Sequence, residues 1–308
     1  MSPEAMSKRN IPEAMRNRVG LPAGRIVTVS GTVCVERWEP SAGNRMCNGS
    51  VRRRFPTVAT IWQGLRHRSR WHGHGGARRL HGDHLGGNWP VILRSGAVVL
   101  RPLRRSDEDD WIVLRQRNQD WLARWEATRP PGSPEKAPTF AQMVRGNQRR
   151  ARRGEILPWA LVWDDGWPDH PTRNPYDLPI TGQVTVFDIS YGAALSCSIG
   201  YWISADHAGR GAVPTAVAMA CDHCFSALGM HRIEICVCPE NVKSLRVVEK
   251  IGMTEEGLSH QYLHIDGSWR DHRVFRMFPS DHPQGVLHDL KKNFPASGMS
   301  GGSTTSRP

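Results

Sequence analysis

Gly200-Tyr-Trp-Ile-Ser-Ala-Asp-His-Ala-Gly-Arg-Gly-Ala-Val-Pro-Thr-Ala216 reads as an apolar strand end, a tight Gly-rich turn and the start of a helix. The helix is expected over about 213–228, because Val213, Ala216, Val217, Ala220, Cys221, Cys224 and Leu228 recur at helical spacing. A strand, a Gly turn and a helix N-terminus make a ready anion site. The first N–H groups of the helix have no intrahelical partner, and the helix dipole adds positive character. Gly209 and Gly211 let the backbone come close to a ligand, and Arg210 adds a charge. A phosphate-bearing ligand is the natural occupant, although a Gly turn also serves plain strand–helix geometry.

On either side the chain alternates strands and helices. Val98 to Leu103 is a first strand. Ser106 is the expected N-cap of a helix whose first turn holds Asp107, Glu108, Asp109 and Asp110, where acids suit the dipole. That helix runs to about Asn118, and Trp121 to Glu126 forms a short second segment. Thr139 to Arg153 reads as a helix with a basic outer face, and Leu157 to Trp163 as a strand. Residues 164–179 hold four prolines and form a loop. Ile180 to Ile189 and Leu195 to Ile203 pair across Tyr191-Gly192. Beyond the Gly turn, His231 to Cys238 alternates as a half-buried strand. Pro239 to Ile251 is a helix closed by Gly252 at its C′ position. Two final strands, about 256–265 and 269–278, meet at Asp266-Gly267, a strong hairpin signal.

The chain has 308 residues, 39% hydrophobic, enough for one large domain or two small ones. Seven cysteines are irregularly spaced and no leader-like segment precedes them, which fits a reducing cytoplasm. No apolar run approaches the length of a membrane helix. The net charge of +12 is concentrated at one end: residues 1–90 carry 15 Lys and Arg against 5 Asp and Glu, and the rest carry 26 against 24. That first third shows no sustained period, apart from a possible strand in Arg25 to Val35. Its composition cannot bury enough apolar surface to offset chain entropy, so disorder is expected over 1–88. It is either an Arg-rich arm for RNA or the ribosome surface, with Trp62 and Trp71 for stacking, or a His-rich metal ligand set, or an incidental extension. A folded domain is expected over 89–280, with a flexible polar tail over 281–308.

Four motifs in order resemble the GCN5-related N-acetyltransferase (GNAT) superfamily, and within it the RimJ/RimL-like ribosomal-protein N-terminal acetyltransferases. They are Ile199-Gly-Tyr-Trp202 with His207-Ala-Gly-Arg-Gly211; Leu228-Gly-Met-His-Arg-Ile-Glu234; Pro239-Glu-Asn-Val-Lys-Ser244 leading to Val248-Glu-Lys-Ile-Gly-Met253 and Glu256-Gly257; and Gly267-Ser-Trp-Arg-Asp-His272. Asn118-Gln-Asp-Trp121 with Trp125-Glu126 is similar to the family's acceptor-side loop. The resemblance covers about 91–278. It implies an α/β (α+β) GNAT fold, with a mixed, mostly antiparallel sheet of about seven strands flanked by helices.

The resemblance also implies acetyl transfer from acetyl-CoA to an amine, and it assigns residues. Gly209, Arg210, Gly211, Ala212 and Val213 would hold the pyrophosphate. Ile199, Tyr201 and Trp202 would flank the pantetheine, with Gly200 weakening or bulging the ladder there. Asn241 would hydrogen-bond the pantetheine, and Ser244, on the same helix face, would protonate the leaving thiolate. Trp121, Trp125 and Glu126 would bind the acceptor. No carboxylate is clearly placed as base: Gln261, Tyr262 and His264 stand where some relatives carry Glu, and Asp271 is the remaining candidate. No metal is expected, because Cys221, Cys224, Cys236 and Cys238 read as small apolar residues more readily than as a zinc set.

Each assignment has a plainer counterpart. Ser244 and Asn241 could cap the helix, Asp271 and His272 could hold the last hairpin, and the Trp residues could be anchors. Ala208, Val213 and Pro214 depart from the family's acyl-CoA turn, and Pro214 removes an amide. The expected protein is a cytoplasmic acetyltransferase acting on a protein N-terminus, with ribosomal proteins as the leading acceptor, as a monomer or homodimer. Acetylation of an antibiotic or polyamine, with Glu126 and Asp164-Asp165 as acids, and a binding module without catalysis are the rivals.

Overall fold

The computed structural model describes residues 89–133, 137–170 and 173–294, and the backbone of an antiparallel hairpin, β1 (Arg25–Val29) and β2 (Thr32–Glu36). The single strand expected near Arg25 is therefore two. The RNA-arm and His-cluster readings otherwise lie outside the described residues.

The main sheet has eight strands: β3 (Leu93–Ser95), β4 (Val98–Pro102), β5 (Leu157–Trp163), β6 (Ile180–Ser190), β7 (Ser196–Ile203), β8 (Arg232–Val237), β9 (Thr254–Ile265) and β10 (Ser268–Met277). Their spatial order is β3-β4-β5-β6-β7-β8-β10-β9. All neighbours are antiparallel except β7 and β8, which run parallel. The short edge strand β3 makes eight where seven were expected. Asp266 and Gly267 both have positive φ, the geometry of a type I′ turn, and they join β9 to β10 as the dipeptide predicts.

The parallel pair is the key feature. Only Ser196–Ser198 pairs with Arg232–Glu234, and the strands then part. The expected bulge at Gly200 is absent: Gly200 stays in register with Thr185 on β6. The opening comes from β8 diverging, not from β7 distorting. Gly182 on β6 is needed for a different reason, since a Cβ there would meet the Trp202 carbonyl oxygen at 2.3 Å.

Six helices flank the sheet: α1 (Glu108–Arg117), α2 (Gln119–Leu122), α3 (Phe140–Arg152), α4 (Ala212–Ser226), α5 (Val242–Lys250) and α6 (Val286–Asn293). Ser106 does not cap α1. Arg105–Asp107 forms a 3-10 turn, and Asp107 accepts the Arg104 N–H at 2.7 Å while gripping Arg101 with both oxygens. Thr139 caps α3 in a reciprocal box with Gln142. Ile199, Ile203, Ile235 and Val237 face α4 and α5 in the main core, whereas Ala160, Ile180 and Trp202 face α1 and α3. The two faces thus carry alternate residues of β7 and β8.

Part of the segment expected as a flexible tail is helical. Asp222 of α4 accepts the N–H groups of Val286 at 2.7 Å and Leu287 at 3.1 Å, satisfying the first turn of α6. Val286 and Leu290 are buried against the core. Cys221 and Cys224 are core residues beside Cys197; burial pushes the Cys221 thiol up, and the contact with Cys197 followed by burial pushes up that of Cys224. No group of metal-ligating side chains is assembled among the described residues.

Candidate active site

Where β7 and β8 part, a cavity of about 160 Å³ opens through the sheet. One wall is built from the α4–α5 face and the other from the α1 face. Ile199, Tyr201, Ile235, Val237, Asn241 and Ser244 belong to the first; Gln183, Thr185, Trp202, Cys236, Cys238 and His272 belong to the second. Trp125, Glu126 and Ala127 close it from the loop after α2.

On the first wall, Asn241 is the N-cap of α5, its side-chain oxygen accepting the Ser244 N–H at 3.1 Å. The amide NH2 of Asn241 remains available to a ligand. The Ser244 hydroxyl lies 2.7 Å from the Tyr201 hydroxyl. Burial raises the Tyr201 phenol above its ordinary range, more than the Ser244 hydrogen bond lowers it, so Tyr201 stays protonated. Ser244 and Tyr201 therefore form a protonated hydroxyl pair at the cavity wall.

Beyond the end of β7, the turn before α4 has Gly209 and Gly211 at φ of 82° and 77°, with open space where their Cβ atoms would stand. Gly211 is the N-cap of α4, and the first intrahelical N–H comes from Thr215. Ala212 and Val213 thus leave two N–H groups free of the helix, while Pro214 has none to offer. Val213 and Pro214 are buried, so their bulk points into the core and leaves the turn open. Arg210 is exposed, with its guanidinium 6.0 Å from the Trp163 ring. The turn fits an anion, with donors from two helix positions rather than three.

On the second wall, Glu126 is the cavity's one acid among the described residues. It forms a part-buried ion pair with Arg115, whose guanidinium lies 5.3 Å from the Trp111 ring and 5.2 Å from the Trp202 ring. Burial pushes the Glu126 carboxyl up, and Arg115 opposes that rise. Trp202, expected beside the pantetheine, faces this wall instead, because β7 alternates and Tyr201 takes the other side. Trp121 lies outside the cavity: its Nε1–H donates to the Ile203 carbonyl at 2.9 Å and Lys243 sits 3.9 Å over its ring. It anchors the end of β7.

Asp271 is not at the cavity either. It accepts the Gln261 N–H at 2.8 Å and lies 2.9 Å from His260 Nδ1, and these contacts hold its carboxyl below the ordinary value. The next residue, His272, faces inward. The sequence offered Asp271 as the candidate base, but strand alternation and packing turn its neighbour to the cavity instead. Gln261, Tyr262 and His264 do not line the cavity; Leu263 and Ile265 of the same strand do. His264 is held by Thr128 at 2.7 Å.

A twisted sheet parted beside a Gly-capped helix N-terminus defines the chain's class, and the comparisons agree. The family model described as Acetyltransferase (GNAT) domain matches residues 97–254. The chain belongs to this family of acetyl-CoA-dependent N-acetyltransferases. It is 28% identical over 193 residues to the probable N-acetyltransferase YjcK of Bacillus subtilis (strain 168), which spans 63% of this chain and 100% of that one. It is 29% identical over 197 residues to the ribosomal protein uS5-alanine N-acetyltransferase of Escherichia coli (strain K12), spanning 63% and 94%. RimJ of Mycobacterium smegmatis in complex with CoA-disulfide superposes with a TM-score of 0.58 at 32% identity, over 67% of this chain and 96% of that chain.

Proposed function

We propose that the chain acetylates a protein N-terminal α-amine, with ribosomal proteins as the acceptor class and acetyl-CoA as donor. The β8-facing edge of β7 is unpaired with β8 beyond Ser198, so the backbone of 199–202, short of the Ile203 carbonyl that Trp121 holds, is open to pantetheine amides. Gly209, Arg210, Gly211, Ala212 and Val213 then meet the pyrophosphate. Asn241 binds the pantetheine through its free amide, and Ser244, backed by Tyr201, supplies the proton to the departing thiolate. Trp125 and Glu126 face the acceptor.

The observation that carries the acceptor class is the Glu126–Arg115 pair. Among the described residues, the only acid lining the cavity is already paired with the part-buried Arg115. A polyamine, with several positive charges, would find no free carboxylate there. An N-terminal α-amine has a pKa near ~8 and needs no acid to hold it charged. Asp164 and Asp165 do not alter this: Asp164 is bound by Arg94 at 2.9 Å and Asp165 by Arg173 at 2.9 Å, both away from the cavity. The similarity to the uS5-alanine enzyme points the same way.

A small-amine acceptor is the second reading, favoured by a 31% identical stretch of 99 residues shared with the spermidine N(1)-acetyltransferase of Vibrio cholerae. The test is thiol release from acetyl-CoA with N-terminal peptides and, separately, with spermidine. Release only with peptides supports the proposal; release only with spermidine replaces it. Saturable acetyl-CoA binding without turnover on any amine makes the chain a binding module. The proposal places the protein in the cytoplasm, as a monomer or homodimer, with residues 1–88 touching RNA or the ribosome. No helix among the described residues is long and apolar enough to cross a membrane.

A further inference from the structure

His272 ends the last of the sequence motifs but was given only a structural place there, yet it is buried in the acceptor wall. Its ring is held at both nitrogens. Nδ1 lies 3.2 Å from the Arg270 carbonyl oxygen, and Nε2 lies 3.3 Å from the Cys238 sulfur. A carbonyl can only accept, so Nδ1 carries the hydrogen. Burial pushes the Cys238 thiol up to about 11, so the sulfur keeps its proton and is the donor toward Nε2. The two contacts agree on one tautomer: Nδ1–H, with the Nε2 lone pair accepting from Cys238, which lines the cavity beside it. An S–H group is a weak donor that an ammonium readily displaces.

We propose that His272 Nε2 is the base that deprotonates the acceptor amine. This rests on the acetyltransferase reading of the cavity. The acceptor arrives as R–NH3⁺ on the α1 face and gives one proton to Nε2. The neutral amine attacks the thioester carbonyl, the C–N bond forms and the C–S bond breaks. The nitrogen's second proton restores the Ser244 hydroxyl as Ser244 protonates the departing thiolate, and His272 gives the first proton to solvent, so each turnover releases one net proton. Base and proton donor thus stand on opposite faces of the parted sheet, each on the side of its own substrate.

The surroundings keep the ring neutral. Burial is the main cause lowering the His272 pKa, and Arg270 adds to it, against the Arg270 carbonyl, Asp271 and Glu240. Tyr262 of β9 packs edge-on with ring centroids 5.4 Å apart, and burial keeps its phenol protonated and neutral. Cys236 of β8 and Cys238 just after it are neutral thiols, and Glu126 across the cavity is paired with Arg115. His272 is therefore a free base at neutral pH.

The experiment compares unaltered protein, His272→Gln and Asp271→Asn in thiol release with an N-terminal peptide across pH 5–9. Removing a general base should lower kcat/KM by about 100-fold or more and abolish the acidic limb set by the imidazole. Acetyl-CoA binding should change less than about threefold, and Asp271→Asn should keep most of the rate. Nitrogen-15 NMR of the unaltered protein should show His272 neutral with its hydrogen on Nδ1 at pH 7, a readout that does not depend on how the variant folds. A His272→Gln rate within about threefold of unaltered protein at every pH overturns the proposal, as does an Nε2–H tautomer. Failure of the acetyltransferase reading looks different: the unaltered protein releases no thiol with any amine, and both proposals fall.

Discussion

Tyr201 and Ser244 come from different elements, the middle of β7 and the first turn of α5, and their hydroxyls meet at 2.7 Å. With its phenol held protonated by burial, Tyr201 pairs with the Ser244 hydroxyl and keeps a second proton beside it. Ser244→Ala is expected to lower kcat by about 10- to 100-fold, a modest general-acid effect because a thiolate leaves easily. Tyr201→Phe is expected to cost less, since the serine keeps its own proton. Steady-state kinetics with both variants check this. An equal loss in each would mean that Tyr201 donates directly.

The turn before α4 makes a prediction about donor affinity. Pro214→Ala restores a third free N–H at the helix start and should lower KM for acetyl-CoA about two- to fivefold, the worth of one helix-terminal interaction. Gly209→Ala and Gly211→Ala should raise it, because both residues hold positive φ, which costs an alanine roughly 1 kcal/mol and adds a methyl on the open side. Titration calorimetry with CoA reads both directions.

The Arg115–Glu126 pair is a stability prediction. Glu126→Ala leaves a part-buried guanidinium between Trp111 and Trp202 with no counter-charge, and should destabilise the fold by about 3–5 kcal/mol. Arg115→Met in the same chain should recover most of that loss. Denaturant unfolding of the two variants checks it; a single variant as stable as the parent would show the pair to be solvated.

Acid should loosen the β8–β10–β9 edge. Glu256 bonds Arg232 and Glu255 bonds Arg273, and these partners hold both carboxyls below their ordinary value of 4.5. The folded value lies below the unfolded one, so the stabilisation is present above pH 4.5 and lost as pH falls through the lowered values. Both groups are exposed and screened, so the effect is small. Hydrogen exchange of β9 amides at pH 3–5 should rise sooner than that of β6, and Glu256→Gln should flatten the difference.

Much of this architecture is written in local chemistry. Asp266-Gly267 fixes a hairpin because two adjacent positive φ angles suit few other dipeptides. Asn241 and Ser244 are three residues apart at a helix start, so their shared face follows from the helix period. What was not legible depends on partners far away in sequence. Alternation in β10 says that Asp271 and His272 face opposite ways, but only packing against Cys238 decides which faces in. Trp202 and Tyr201 pose the same question on β7. The polar segment after Pro279 gave no sign of a helix, because the side chain that starts α6 is Asp222, more than sixty residues earlier. Ser106 misled because Asp107 had a stronger claim, through buried Arg101.

The three rungs that join β7 to β8 have a mechanical meaning. The sheet is two leaves on a short hinge, β3 to β7 on one side and β8 to β10 with β9 on the other. A ligand lying along the open edge of β7 would act as a splint, adding rungs that the chain itself does not provide. This thinly tied seam in the middle of the sheet is then the place its substrate mends, and the leaves should resist being pulled apart only while the splint is in place.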